Sequence, residues 1–115
     1  NSQLYEKVFN TNFGSNWEII KYYLSKKTKK KIKIILIGST AYKSGKKNYL
    51  LYSSSKSALH NLYLGAKEML NKKNIKLVIY HPKRMKTKMI KNLSFINKNS
   101  GAKPSLEAKK ICKLI

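Results

Sequence analysis

The sequence contains one cysteine, Cys112, one arginine, Arg84, and only four acidic residues. A lone cysteine cannot build an internal disulfide framework. Its place in a helical pattern near the end of the chain suggests a small buried hydrophobe rather than a nucleophile or ligand. No apolar run approaches the roughly 20 residues that a membrane helix needs, and Asn1-Ser2-Gln3 do not have a signal-peptide layout. A cytoplasmic setting without a membrane span is therefore the expectation. The spacing of His60, His81 and Cys112 suggests no metal site.

Positive charge, by contrast, is abundant: 26 lysine and arginine residues give a formal net charge of +22. Such a surplus raises nucleic acid or an anionic surface as partners. The lysines, however, are spread along the chain, with one dense run from Lys26 to Lys33 that reads as a solvated turn. Arginine, the better residue for bidentate phosphate and base contacts, is nearly absent. Lysine, asparagine and isoleucine are abundant together, as an AT-rich coding sequence would produce. No specific nucleic-acid partner is expected on this basis. A basic nucleic-acid or anionic-surface binding module stays as the alternative.

The 115 residues, 42% of them hydrophobic, suffice for one small domain. Leu4 to Ser25 has an apolar stripe at helical spacing, interrupted by Asn12 and weakened by Gly14. Ile32 to Ile37 (IKIILI) is a short β-branched run that stops at Gly38-Ser39-Thr40, as a buried parallel strand would. A polar loop around Gly45 runs from Tyr42 to Tyr49. Leu51 to Leu70 carries a continuous small and apolar face and predicts the strongest helix. Ile75 to Tyr80 (IKLVIY) predicts a second strand, stopped by Pro82. After a polar stretch from Lys83 to Gly101, Pro104 and Glu107 open a final helix, Leu106 to Leu114. Helix-strand-helix-strand-helix alternation argues for an α/β fold with parallel strands. Two strands do not complete such a sheet, and the chain starts inside a helical pattern without an initiator methionine, so either it is a fragment of a longer protein or it pairs with something else.

A tyrosine followed four residues later by a lysine occurs five times: Tyr22/Lys26, Tyr23/Lys27, Tyr42/Lys46, Tyr52/Lys56 and Tyr63/Lys67. In so lysine-rich a chain the pair alone has little meaning, because most such pairs are solvated helix neighbours. Tyr52/Lys56 differs in context. Ser39 lies thirteen residues upstream, at the carboxyl end of the first predicted strand, where ligands bind in open α/β sheets. Tyr52 and Lys56 share one face near the start of the strongest helix, and Ser53, Ser54, Ser55, Ser57 and Ala58 around them leave room for close packing or a ligand.

The stretch Ile34 to Leu59, IILIGSTAYKSGKKNYLLYSSSKSAL, resembles the active-site strand, loop and helix of short-chain dehydrogenases/reductases. Asn12 matches that family's helix asparagine at the family spacing from Ser39. Tyr80-His81-Pro82 and Lys86-Thr87-Lys88-Met89 resemble its post-strand Pro-Gly segment and Thr-x-Met. The likeness runs from about Leu4 to Leu114 and implies a partial Rossmann-type, doubly wound parallel sheet, residues 1–115 being the C-terminal catalytic part of one domain. Lys83 stands where the family has glycine. No glycine-rich phosphate loop is present, since Gly38, Gly45, Gly65 and Gly101 are isolated. Cofactor binding and activity are thus expected to need an N-terminal half.

The resemblance implies an enzyme that transfers a hydride between NAD or NADP and a carbonyl or alcohol substrate, the cofactor supplying the hydride chemistry. Tyr52 would be the general acid/base. Lys56 would favour its phenolate and hold the nicotinamide ribose. Ser39 would bind the substrate oxygen, and Asn12 would hold a water in a proton relay behind Lys56. Tyr52, Lys56, Pro82 and Thr87 would contact the cofactor. The Tyr-Ser-x-Ser-Lys motif favours simple reductases over nucleotide-sugar epimerases, and Lys103 to Ile111 is similar to reductases of lipid-linked sugars. Relatives often dimerise or tetramerise through the helices that carry Asn12 and Tyr52. His81 reads as a pocket wall without an evident partner, and His60 as a surface or interface residue. An inactive remnant of the family is a further alternative.

Overall fold

A computed structural model describes residues 2–85 and 101–115. Thr87 and Met89 lie outside these residues. The elements follow the order α1 (Ser2–Phe9), a π-helical turn (Asn10–Gly14), α2 (Ser15–Ser25), β1 (Ile32–Ile37), a 3-10 turn (Thr40–Lys43), α3 (Leu50–Asn71), β2 (Ile75–Tyr80) and α4 (Pro104–Cys112). The fold is mixed α/β. The two strands pair in parallel, from Ile32 opposite Ile75 to Ile37 opposite Tyr80. Parallel neighbours require a crossover, and α3 supplies it.

Both strands are β-branched runs, which suit a pleated surface packed against other elements. The ladder continues one step past β1, where the Gly38 amide donates to the Tyr80 carbonyl at 2.7 Å. The core forms where Leu59, Ala66 and Leu70, at helical spacing on α3, meet Leu36, Ile75, Leu77 and Ile20. Burying a leucine of this kind stabilises by about 1.5–3 kcal/mol. The link from α3 to β2 is tight. Asn74 adopts φ 60°, a left-handed conformation that asparagine tolerates better than most side chains.

The helix expected over Leu4–Ser25 is helical throughout but not uniform. At Asn10–Gly14 it widens, and the Ser15 amide bonds the Asn10 carbonyl, five residues back. Gly14 lowers the cost of leaving α geometry there, and the side chain of Asn12 is tied to α3 rather than lying along its own helix. Cys112 is exposed, contrary to the buried position expected. On α4 the inward positions are Glu107 and, partly, Ile111, and the 100° step per residue turns Cys112 outward. Among the described residues no helix is long and apolar enough to cross a membrane.

Candidate active site

β1 ends at Ile37, and the chain turns through Gly38 and Ser39 into the 3-10 turn. Ser39 is extended, with φ −163° and ψ 149°, and its Oγ accepts the Ala41 amide at 3.1 Å, capping the turn. With that lone pair engaged, the hydroxyl proton is free to be given to another acceptor. The Ser39 amide is held as well: it donates to His81 Nδ1 at 3.0 Å.

α3 begins at Leu50, so Tyr52 lies in its first turn and Lys56 one turn later. Tyr52 is half-buried and packs edge-on against Tyr49, centroids 6.0 Å apart. Lys56 is 9% exposed. Its Nζ donates to the Ile37 carbonyl at 3.0 Å and sits 5.8 Å from the Tyr52 ring centroid. Burial pushes the Lys56 ammonium below its usual 10.5, because the charged form loses hydration. The ammonium is thus anchored two residues before Ser39, at the carboxyl end of β1, beside the phenol ring.

Asn12 reaches the same helix from the π-helical turn. Its Nδ2 donates to Ser55 Oγ at 3.1 Å, while its carbonyl accepts from Asn16 Nδ2 at 3.0 Å. Widened turns of this type place side chains that a regular helix would direct elsewhere. The serines around Tyr52 have a part that sequence reasoning missed. Ser53 and Ser55 are essentially inaccessible, and they connect elements rather than line a cavity. Ser53 Oγ accepts the Lys46 amide and donates to the Leu50 carbonyl. Ser55 Oγ accepts from Asn12 and donates to the Tyr52 carbonyl at 2.7 Å. Ser57 Oγ lies 2.9 Å from the Tyr42 carbonyl and 3.0 Å from that of Ser53. Small hydroxyls at these positions staple the loop and the first helix to α3. Their signal in the sequence was composition alone.

His60 and His81 also depart from expectation. His60 is half-buried, and its Nδ1 lies 2.9 Å from His81 Nε2. The Tyr42 ring stacks on both imidazoles, with centroids 4.1 Å from His60 and 4.0 Å from His81. His81 therefore has partners on three sides, whereas the sequence showed none, because they lie 21 to 42 residues away in the chain. Burial, and then the neighbouring His60, hold His81 below its ordinary 6.5.

At the end of β2, Pro82 is buried and follows His81 directly. Among the described residues Asn74 is the one non-glycine residue with positive φ, so Lys83 carries no left-handed strain. Glu107 of α4 organises this end. It is 1% exposed, and its Oε2 accepts the Tyr80 hydroxyl at 2.6 Å and the Lys83 amide at 3.3 Å. Its Oε1 pairs with Lys110 at 2.6 Å. Lys110 and then Tyr80 hold the Glu107 carboxyl below its usual range, and the same contact raises the Tyr80 phenol. Thr87, expected beside a cofactor, lies outside the described residues. No group of three metal-ligating side chains occurs among the described residues.

Residues 1–96 match a family model described as short chain dehydrogenase. No curated protein and no solved structure matches the chain.

Proposed function

The chain belongs to the short-chain dehydrogenase family, and from this membership we propose that it is the C-terminal catalytic part of an NAD(P)-dependent oxidoreductase acting on a carbonyl or alcohol. The observation that carries the reading is the Lys56 ammonium, buried, bonded to the Ile37 carbonyl and set beside the Tyr52 ring. Of the five Tyr/Lys pairs, this is the one whose lysine is buried and bonded to the backbone at the carboxyl end of a strand, two residues before Ser39.

In this reading Tyr52 passes the proton to or from the substrate oxygen. Lys56 sets a positive charge beside the ring and bonds the cofactor ribose. Ser39 donates to the oxygen that becomes alkoxide-like. Asn12, fixed by Ser55, stands behind Lys56 as the relay position. Pro82 and Thr87 border the nicotinamide. NAD or NADP supplies the hydride chemistry when bound. A partial Rossmann-type sheet, completed by a glycine-rich segment outside residues 1–115, would carry the pyrophosphate. Exposed Leu4, Tyr5, Trp17 and Tyr22 on α1 and α2, with Leu64 and Met69 on α3, suit association of two or four copies.

The test is turnover of the parent protein with NADH or NADPH across a panel of carbonyl compounds, beside Tyr52→Phe. Reduction that survives this substitution undiminished would refute the assignment of the acid/base.

A further inference from the structure

A chain of hydrogen bonds runs from the end of β1, through the end of β2, to the middle of α3. The Ser39 amide donates to His81 Nδ1, and His81 Nε2 faces His60 Nδ1. An amide can only donate, so His81 Nδ1 must be bare. Neutral His81 then carries its proton on Nε2 and donates to His60 Nδ1, which must also be bare. The order of donors fixes both tautomers.

Four ring nitrogens in this chain hold two protons. A third has no compatible place. On His60 Nδ1 it opposes the His81 Nε2 proton. If the His81 proton retreats to Nδ1, it opposes the Ser39 amide. One added proton therefore breaks one of the two bonds. We propose that His81 is a positioning residue for Ser39, and that uptake of a single proton by the His60–His81 pair loosens its hold on the turn that carries the Ser39 hydroxyl, either at the Ser39 amide or at the His60 bond that fixes the His81 ring.

Neighbouring charges favour the neutral state. Among the described residues the charged or titratable groups around His81 are His60 and Lys56 on α3 and Lys43 and Tyr42 on the 3-10 turn. Three of these are cationic or become so on protonation, and each disfavours a charge on His81, while a contact with the Ser39 backbone works in the other direction and is outweighed by burial and His60. The stacked Tyr42 ring fixes the plane of both imidazoles. Gly38 is the complementary feature, because a Cβ there would overlap the His81 ring. The close approach of imidazole to strand end thus requires glycine.

That Ser39 faces a substrate rests on the proposed function; that His81 holds its amide does not. Two measurements separate these points. In 15N-labelled full chain, imidazole nitrogen shifts should show the Nε2–H tautomer for both histidines at pH 8, and the Ser39 amide should shift with their titration. An Nδ1–H tautomer at His81, or a Ser39 amide indifferent to pH, would overturn the proposal whether or not the protein turns over substrate. In the parent enzyme, His81→Phe should lower kcat roughly tenfold or more, since small misplacements of a reacting group are costly. His81→Asn, whose Oδ1 can replace the bare Nδ1 and does not titrate, should recover most of that loss and flatten the fall of kcat at acid pH that the unsubstituted enzyme should show. Gly38→Ala should reproduce His81→Phe. Wild-type kcat and pH profile in both His81→Phe and Gly38→Ala would also overturn it.

Discussion

At the carboxyl end of β1 the backbone is held by an uncharged imidazole, itself bonded to a second imidazole and stacked on Tyr42. At the carboxyl end of β2 a buried carboxylate does the holding, bonded to the Tyr80 hydroxyl, the Lys83 amide and the Lys110 ammonium. The first arrangement depends on proton count and the second on charge. Their pH windows differ accordingly. His81 is held below its ordinary 6.5, so the unfolded chain takes up its proton first. Stability from this end is complete above 6.5 and is lost as pH falls through the lowered value. Glu107 is held below its ordinary 4.5, and its contribution persists until pH falls through that lower value. On the alkaline side Tyr80 is raised above 10.0, and its bond to Glu107 is lost only as pH rises through the raised value.

In the proposed function chemistry belongs to one strand end and anchorage to the other, and substitutions can break that contrast. The largest effect is expected at Tyr52. Tyr52→Phe should lower turnover of the parent enzyme by about 10²–10⁴-fold, the usual share of a positioned proton donor. Its melting temperature should move little, because the hydroxyl has no hydrogen-bond partner among the described residues. At the other end Glu107→Ala should lower the melting temperature by several degrees. It leaves the Tyr80 hydroxyl and the Lys83 amide without their acceptor, and donors left unpaired in a part-buried contact are costly. Glu107→Gln, which keeps an acceptor, should lie between. Thermal melts at pH 7 followed by circular dichroism will check both.

A smaller effect sharpens the comparison. Between pH 7.5 and 5.5 the urea midpoint of the wild-type chain should fall measurably, and His81→Asn should flatten that dependence while Glu107→Gln leaves it in place. The reverse pattern would exchange the roles assigned to the two ends. Smallest of all, Cys112→Ser should change the melting temperature by no more than about 3 °C, because an exposed side chain on the outer side of α4 contributes little.

Both strands were legible to the residue, because a short β-branched run with a turn signal at its end has few other ways to bury itself. α3 extends one residue beyond its expected limits at each end, Leu50–Asn71, and α4 starts at its proline. That Ser39 follows a strand end and that Tyr52 and Lys56 lie one turn apart near the start of α3 was legible through spacing against strand and helix boundaries. What stayed hidden has one cause. The π-helical turn at Asn12, the bonded roles of Ser53 and Ser55, the His60–His81 pair and the burial of Glu107 are each defined by a partner distant in the chain. A histidine flanked by a tyrosine and a proline gives no sign that its ring will meet Ser39, and Glu107 read as the acid of a helix start rather than as a buried acceptor.

Local pattern alone determined the order of elements, the parallel pairing to be expected, and which Tyr/Lys pair stands at a strand end, since periodicity and turn chemistry act over a few residues. Tertiary structure alone decided that the Lys56 ammonium is desolvated, that Ser39 has a hydroxyl proton to give, and that one strand end is neutral and the other charged. Those properties arise from hydrogen bonds and burial between segments, and a pattern of residue types does not specify which donor will face which acceptor until the backbone has brought them together.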